Sequence, residues 1–288
     1  MQNKPSPTQG ELELAKVILE LRGGLGNQLF QYSAGAFFAK QFGATLVIDD
    51  SSIYKHADKT RRSWLKRIDY INTFGFQNVV WMNSSRKFYL GATKRFRPTK
   101  VYYDESGLKT IRDLTRDICI YDWFHDKSYV ESLHSEFLNE DQSPRKLQLK
   151  NRITNENKSP QKSGAAMHMR LGDFKNTSWG TLPSDWYLAR VKNLMDLGVQ
   201  TLDCYSDDLI ESKTIIEKWN LGLTFRFPED RRLSAPHELL YTLSQYPMMI
   251  SSNSTLSWWA SYFNRNQNAT ILCNWNQKLR LKHWQYYG

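Results

Sequence analysis

Gly164-Ala165-Ala166-Met167-His168-Met169-Arg170-Leu171-Gly172-Asp173-Phe174 decides how this chain is read. Its first residues are small and apolar and follow a polar run, so they read as the start of a buried strand. Gly172, Asp173 and Lys175 end it. Open α/β sheets bind ligands beyond the carboxyl ends of their strands, and here such an end carries His, Arg and Asp at relative spacing 0, 2 and 5. Alternation places His168 and Arg170 on one face. The competing reading is a surface arginine paired with Asp173 beside a satisfied core histidine, because structural ion pairs imitate sites.

The same rhythm extends in both directions. Upstream, Val17 to Leu21 favours a strand, Arg22 to Gln28 turns, and a helix carries Leu29, Phe30, Ala34, Phe37 and Phe38 up to Gly43. Thr45 to Ile48 is a second strand, closed by Asp49-Asp50. Residues 51 to 117 are mixed, aromatic and basic without a clean period. Ile118 to Trp123 reads as a strand, His125-Asp126 as site residues or a turn, and Ser132 to Lys158 as helical pieces broken at Ser143-Pro144. Downstream, strands are expected at Thr201 to Ser206, Leu223 to Phe227 and Met248 to Ser251. Helices are expected after Pro183 and over Leu209 to Trp219, His237 to Tyr246 and Leu256 to Phe263. Alternating β and α in both halves implies an α/β fold of two doubly wound, Rossmann-like domains facing across a cleft. The expected division is a disordered leader over 1–14, an N-terminal domain with the Gly-rich loop over 15–160, and a C-terminal domain over 161–288.

Composition narrows the function. No run of 18 apolar residues occurs, which argues against a transmembrane helix, and the first ten residues lack the apolar core of a signal peptide. Cys119, Cys204 and Cys273 are three and scattered, pointing to neither disulfides nor zinc. N-x-S/T triplets begin at Asn83, Asn157, Asn176, Asn253 and Asn268, and would matter only in a secreted protein. A reducing cytoplasm is the expected compartment. With 39 basic against 29 acidic residues the formal charge is +10, which favours anionic partners such as nucleotides, nucleic acids or an acidic membrane face. Lys55 to Arg67 and Arg86 to Lys100 interleave basic and aromatic residues, as a single-strand nucleic-acid groove would. No nucleic-acid module accompanies them, so a solvated basic face is the reading adopted.

Two turns have the chemistry of anion sites. Gly24-Leu25-Gly26-Asn27 lies between a strand and a helix, where glycines permit close backbone approach and Asn27 is a helix N-cap or a ligand contact. A dinucleotide fingerprint would need glycine at position 29, which is Leu29. Ser252-Asn253-Ser254-Thr255 opens another helix, whose free N–H groups favour phosphate; plain capping is the alternative.

Four motifs occur in order: Gly23-Gly24-Leu25-Gly26-Asn27-Gln28-Leu29-Phe30, His168-Met169-Arg170-Leu171-Gly172-Asp173-Phe174, Ser206-Asp207-Asp208 and Ser252-Asn253-Ser254-Thr255-Leu256-Ser257-Trp258-Trp259. Together, from about Val17 to about Trp275, the chain resembles glycosyltransferase family 11, the bacterial α-1,2-fucosyltransferases. The resemblance implies a GT-B architecture, GDP-β-L-fucose as donor, inversion at the anomeric carbon, and no metal or other cofactor. The acceptor it implies is a terminal galactose of an O-antigen or similar glycan. It implies guanosine contacts from His168 and Asp208, and a diphosphate clamp from Arg170. The turn of Asn253, Ser254 and Thr255 and the loop Gly24 to Asn27 would close over the phosphates. Where the family commonly carries a second arginine this chain has Leu171, so the contact of that arginine is absent or is supplied by Lys175 or another residue.

The chemistry leads to the same expectation. No D-x-D triplet is present to hold a metal on a diphosphate, so charge on the leaving nucleotide must meet fixed cations and N–H dipoles. Inversion also needs a base opposite the leaving group. Asp173 is the candidate, a turn carboxylate that orients Arg170 is its other reading, and Asp122 and Asp126 are reserves. Three functions stay open: the α-1,2 transferase, a GDP-fucose enzyme of α-1,3 or α-1,6 linkage, and a basic nucleic-acid or glycan-binding protein. The expected setting is cytoplasmic, without nucleic acid, and allows peripheral contact to an anionic membrane or lipid-linked glycan.

Overall fold

A computed structural model of the chain describes residues 15–49, 79–81, 102–133, 164–178, 180–228, 236–264 and 269–281. The expected leader, the boundary near residue 160, both basic-aromatic runs and the helical pieces beyond residue 133 lie outside the described residues. By compactness, 15–22, 31–49, 79–81 and 102–124 form one unit, and 23–30, 125–133 and 164–281 form a second.

The first unit is built on five parallel strands: β1 (Lys16–Glu20), β2 (Thr45–Asp49), β3 (Val79–Trp81), β4 (Tyr102–Tyr103) and β5 (Ile118–Ile120), in spatial order β3-β2-β1-β5-β4. Helix α1 (Leu25–Gln41) links β1 to β2. A Cβ on Gly35 would lie 3.1 Å from both Leu19 Cδ2 and Leu46 Cδ1. The glycine costs helix propensity but admits the leucines of β1 and β2. β5 ends at Ile120, three residues short of the expected Trp123. Asp122 is held in the loop beyond it, accepting from Trp123 N at 2.7 Å and from Glu105 N at 3.2 Å. Glu105 opens the short helix α2 (Glu105–Leu108).

The second unit repeats the plan with β6 (Ala165–Met169), β7 (Thr201–Ser206), β8 (Thr224–Arg226), β9 (Met248–Ile250) and β10 (Thr270–Leu272), all parallel, in order β10-β9-β6-β7-β8. Every side chain of β6 is buried, as a central strand covered on both faces requires. Around it come α3 (Lys127–Ser132), α4 (Ser184–Asp196), α5 (Leu209–Glu217), α6 (Pro236–Ser244) and α7 (Thr255–Tyr262). Alternation sorts the core. Met167, Met169, Leu202, Cys204 and Ile250 pack with Tyr187, Val191, Leu194 and Ile216 of α4 and α5. Ala166, Tyr205, Met249 and Ile271 pack with Leu240 and Leu243 of α6, Trp258 and Trp259 of α7, and Leu25, Leu29 and Phe30 of α1. The parallel α/β architecture expected from the alternation is what the structure shows. β3 and β4 lie in the mixed, aromatic and basic stretch that shows no clean period, and β10 was not expected, although β5, β8 and β9, equally short, were.

Strand order reverses at β6: the chain moves from β6 outward to β7 and β8, then returns to β9 on the other side. The crevice beyond the carboxyl ends of β6 and β9 is therefore the topological switch point, where such sheets receive ligands.

One polar network sits inside this core. Asp203 accepts from Tyr246 Oη and from Arg226 Nε, the latter at 2.6 Å, while the Tyr205 and Tyr246 hydroxyls lie 2.7 Å apart. Burial of Tyr246 and its bonds to Asp203 and Tyr205 keep its phenol protonated throughout the ordinary pH range. Tyr246→Phe should cost about 1–3 kcal/mol by denaturant unfolding, since it strips a donor from a buried carboxylate. An unchanged midpoint would show the network to be dispensable.

Candidate functional site

The site assembles at that switch point from three loops. The first follows β6. Its strand stops at Met169, and Arg170 Nε lies 3.4 Å from Asp207 Oδ2, both side chains 19% exposed. Asp207 Oδ1 also accepts from Leu171 N at 2.8 Å and from Gly172 N at 3.1 Å. One carboxylate thus ties the β6 loop to the end of β7 and holds the guanidinium, which also sits 5.6 Å from the Phe174 ring centre. A Cβ on Gly172 would meet Asp207 Oδ2 at 2.8 Å, so glycine is needed there. Leu171 is 3% exposed and joins this tie through its backbone.

The second loop follows β9. Ser254 caps α7, its side chain accepting from Leu256 N at 3.3 Å, as N-caps do. Asn253 Nδ2 donates to Gly180 O at 3.0 Å. Ser252 and Ser257 are fully buried, their hydroxyls 3.0 Å apart, and both contact His168 Nδ1. His168 is 1% exposed, so it is a histidine held by hydroxyls. Burial pushes its pKa down from 6.5 to about 4, the positive charge of Arg170 adds to this, and Asp207 opposes it. The imidazole is neutral at pH 7.

The third loop opens α1. The helix begins at Leu25, not Leu29, so Gly26, Asn27 and Gln28 lie in its first turn and Asn27 is not its N-cap. The reason is tertiary. Leu25 is buried among the α6–α7 core, and Gly26 O accepts from Trp259 Nε1 at 2.9 Å. A Cβ on Gly26 would lie 2.5 Å from Leu256 N and 2.6 Å from Thr255 Oγ1. The first turns of α1 and α7 therefore touch through their backbones, and Thr255 Oγ1 donates to Asn27 Oδ1 at 2.9 Å. Gly24 is exposed, and a Cβ placed on it would meet nothing within 4 Å.

The remaining candidates have structural duties. Asp208 caps α5, accepting from Glu211 N at 3.1 Å, and pairs with Lys175 at 3.2 Å. Lys175 also pairs with Glu211, so it is held by two carboxylates. Asp126 caps α3 through Ser128 N. Asp173 opens a 3₁₀ turn (Asp173–Asn176), and its side chain lies outside the described residues. Sequence reasoning passed over Asp207, whose neighbour Asp208 drew attention instead, and left His125 undecided; His125 Nε2 lies 3.1 Å from Asn27 Oδ1.

Chemically, a fixed guanidinium, a neutral buried histidine and two adjoining helix starts suit an anionic ligand. The first-turn N–H groups of a helix lack intrahelical partners, and here two such sets adjoin.

No family model matches the chain. It is 23% identical, over an alignment 309 positions long, to the O-antigen biosynthesis glycosyltransferase WbnK of Escherichia coli, spanning 92% of this chain and 98% of the relative. Among solved structures it aligns with the fucosyltransferase NodZ from Bradyrhizobium at a TM-score of 0.45 and 14% identity, covering 86% of this chain and 93% of that one. It aligns with a family 9 glycosyl transferase from Veillonella parvula at 0.43 and 12%, covering 96% and 88%.

The depressed pKa of His168 has a thermodynamic consequence with a definite sign. Between about 4 and 6.5 the unfolded chain binds a proton that the folded chain refuses. The stabilisation is complete above 6.5 and is lost as pH falls towards 4. Stability of His168→Asn should therefore fall less steeply than wild type from about pH 6.5 to about pH 4.5 in chemical denaturation. Parallel profiles would place the histidine in contact with water.

Proposed function

We propose that this chain is an inverting fucosyltransferase that moves L-fucose from GDP-β-L-fucose to the 2-hydroxyl of a terminal galactose. The glycan would be an O-antigen or similar oligosaccharide. The observation that carries the reading is Arg170, fixed by Asp207 at the end of β6 on the switch point shared with the first turn of α7. The four-motif resemblance supplies the donor and the linkage. Similarity to WbnK over 92% of this chain and 98% of that one supports the class of reaction.

In this reading the acceptor O2 attacks C1 of fucose, the bond from C1 to the diphosphate oxygen breaks, and its electron pair leaves with GDP. The guanidinium offers a planar fork to the diphosphate, with charge-assisted bonds about twice as strong as neutral ones. The N-terminal end of α7 at Thr255 adds a fixed helix dipole where negative charge develops. Asp207 keeps the fork oriented before the donor arrives. Gly24, Leu25 and Gly26 contribute backbone, because the Leu25 side chain is committed to the core. Asn27, Asn253, Ser254 and Asp208 complete the donor site, with His168 beneath it as a neutral, hydroxyl-bonded support for the guanosine side. Asp173 accepts the proton from O2. No metal takes part, since the chain has no D-x-D triplet. No helix among the described residues is long and apolar enough to cross a membrane; a cytoplasmic site of action, with peripheral contact to a lipid-linked glycan, belongs to the same proposal.

The test is a turnover assay with GDP-β-L-fucose and a panel of galactosides in excess EDTA, with linkage analysis of the product. An α-1,2-linked fucoside formed at full rate is expected. Activity that vanishes with EDTA and returns with Mg²⁺ or Mn²⁺ would contradict the leaving-group chemistry, and an α-1,3 or α-1,6 product would contradict the linkage. Within that assay, Arg170→Lys should lower turnover strongly although it retains the charge, because the fork is lost. Arg170→Ala should cost on the order of 10²-fold or more; full activity in Arg170→Ala would remove the clamp from the mechanism.

A further inference from the structure

Asn27 receives two hydrogen bonds on a single oxygen. Thr255 Oγ1 donates to Oδ1 at 2.9 Å, and His125 Nε2 stands 3.1 Å from the same atom. The partners lie 228 and 98 positions away in sequence. An amide oxygen only accepts, so His125 must carry a proton on Nε2, as it does both in that neutral tautomer and when protonated. Two donors on Oδ1 fix the amide plane, and the remaining half of the group is Nδ2, a donor with two N–H bonds. Asn27 itself is partly exposed.

His125 is in turn held. Its ring meets Phe30 edge-on at 5.3 Å, and Phe30 rests against Trp258 and Trp259 at 4.7 and 5.1 Å. Just before it, Phe124 is buried at φ 51, a left-handed value uncommon for a bulky residue. Such strain persists only where surrounding structure over-determines it, and it concentrates at functional sites.

We propose that His125 is a positioning residue for fucosyl transfer: its Nε2–H holds Asn27 Oδ1 so that Asn27 Nδ2 donates to an oxygen of the bound nucleotide sugar. This rests on the functional reading above. Asn27 touches the donor, and His125 acts only through Asn27. A histidine serving as the base, or one that merely packs on Phe30, would behave differently.

The test is a double-mutant cycle read in kcat and in KM for acceptor, with melting temperatures recorded for each variant. Asn27→Ala should lower kcat about 10²-fold, as for other lost transition-state donors. Asn27→Asp should lower it further, because it keeps both bonds to the oxygen but sets a second anion where Nδ2 donated. His125→Ala should lower kcat about 10-fold, in keeping with the loss of one neutral hydrogen bond, and leave acceptor KM unchanged. His125→Gln, which restores an N–H donor, should recover most of that loss. Asn27→Ala/His125→Ala should be no slower than Asn27→Ala alone, since residues acting as a unit are non-additive. Additive losses, a wild-type kcat in His125→Ala, or His125→Gln no better than His125→Ala at equal melting temperature would each overturn the proposal. Absence of wild-type turnover would instead strike the functional reading beneath it.

Discussion

The second unit depends on one close approach, the backbone of Gly26 against the first turn of α7. With a Cβ there, Leu256 N would lie only 2.5 Å away, closer than any side chain tolerates. Because glycine stands at that position, Trp259 reaches Gly26 O and Thr255 reaches Asn27. The aromatic group formed by Phe30, Trp258 and Trp259 then closes behind the contact. Packing and chemistry are served by the same crossing: the interface that buries these rings also sets two helix starts, each short of intrahelical acceptors, beside one another. A larger residue at 26 would separate them and undo both.

Asp207 has a comparable part on the other side of the crevice. It gathers two backbone N–H groups and a guanidinium onto one carboxylate, which turns a flexible strand exit into a rigid cradle. Preorganisation of this kind lets a cation act on developing charge without rearrangement during the reaction. His168 shows the opposite choice. The site buries an imidazole beside an arginine and lets it stay neutral, with Ser252 and Ser257 meeting its nitrogen. A second positive charge there would repel Arg170 and require a counter-ion of its own.

The alternation of strands and helices was legible because long amphipathic helices and buried strands write their period into the sequence. β6, β7, α4 and α5 fall within a few residues of the expected bounds. Of the edge strands, β8 was legible as the expected Leu223 to Phe227, whereas β3, β4 and β10 were not. The start of α1 was displaced by four residues because propensity argues for a turn at Gly23-Gly24-Leu25-Gly26, whereas burial of Leu25 and the indole bond to Gly26 O favour helix. Nothing local in Asn27 announces a partner 228 positions away, nor does His125 announce a partner at 98. Of two adjacent acids at the end of β7, sequence alone could not say that Asp208 caps a helix while Asp207 turns to the β6 loop. That choice follows from sheet register, which places Ser206 beside Met169.

The central claim is that a nucleotide diphosphate sits on the carboxyl edge of the second sheet, between the β6 and β9 loops. A crystal structure of the protein with GDP addresses it directly. The diphosphate is expected within hydrogen-bond reach of the Arg170 guanidinium and at the N-terminus of α7 beside Thr255, with Asn27 next to it. A GDP molecule bound instead beyond β1 and β5 of the first sheet, or bound without contact to the Arg170 guanidinium, would contradict it.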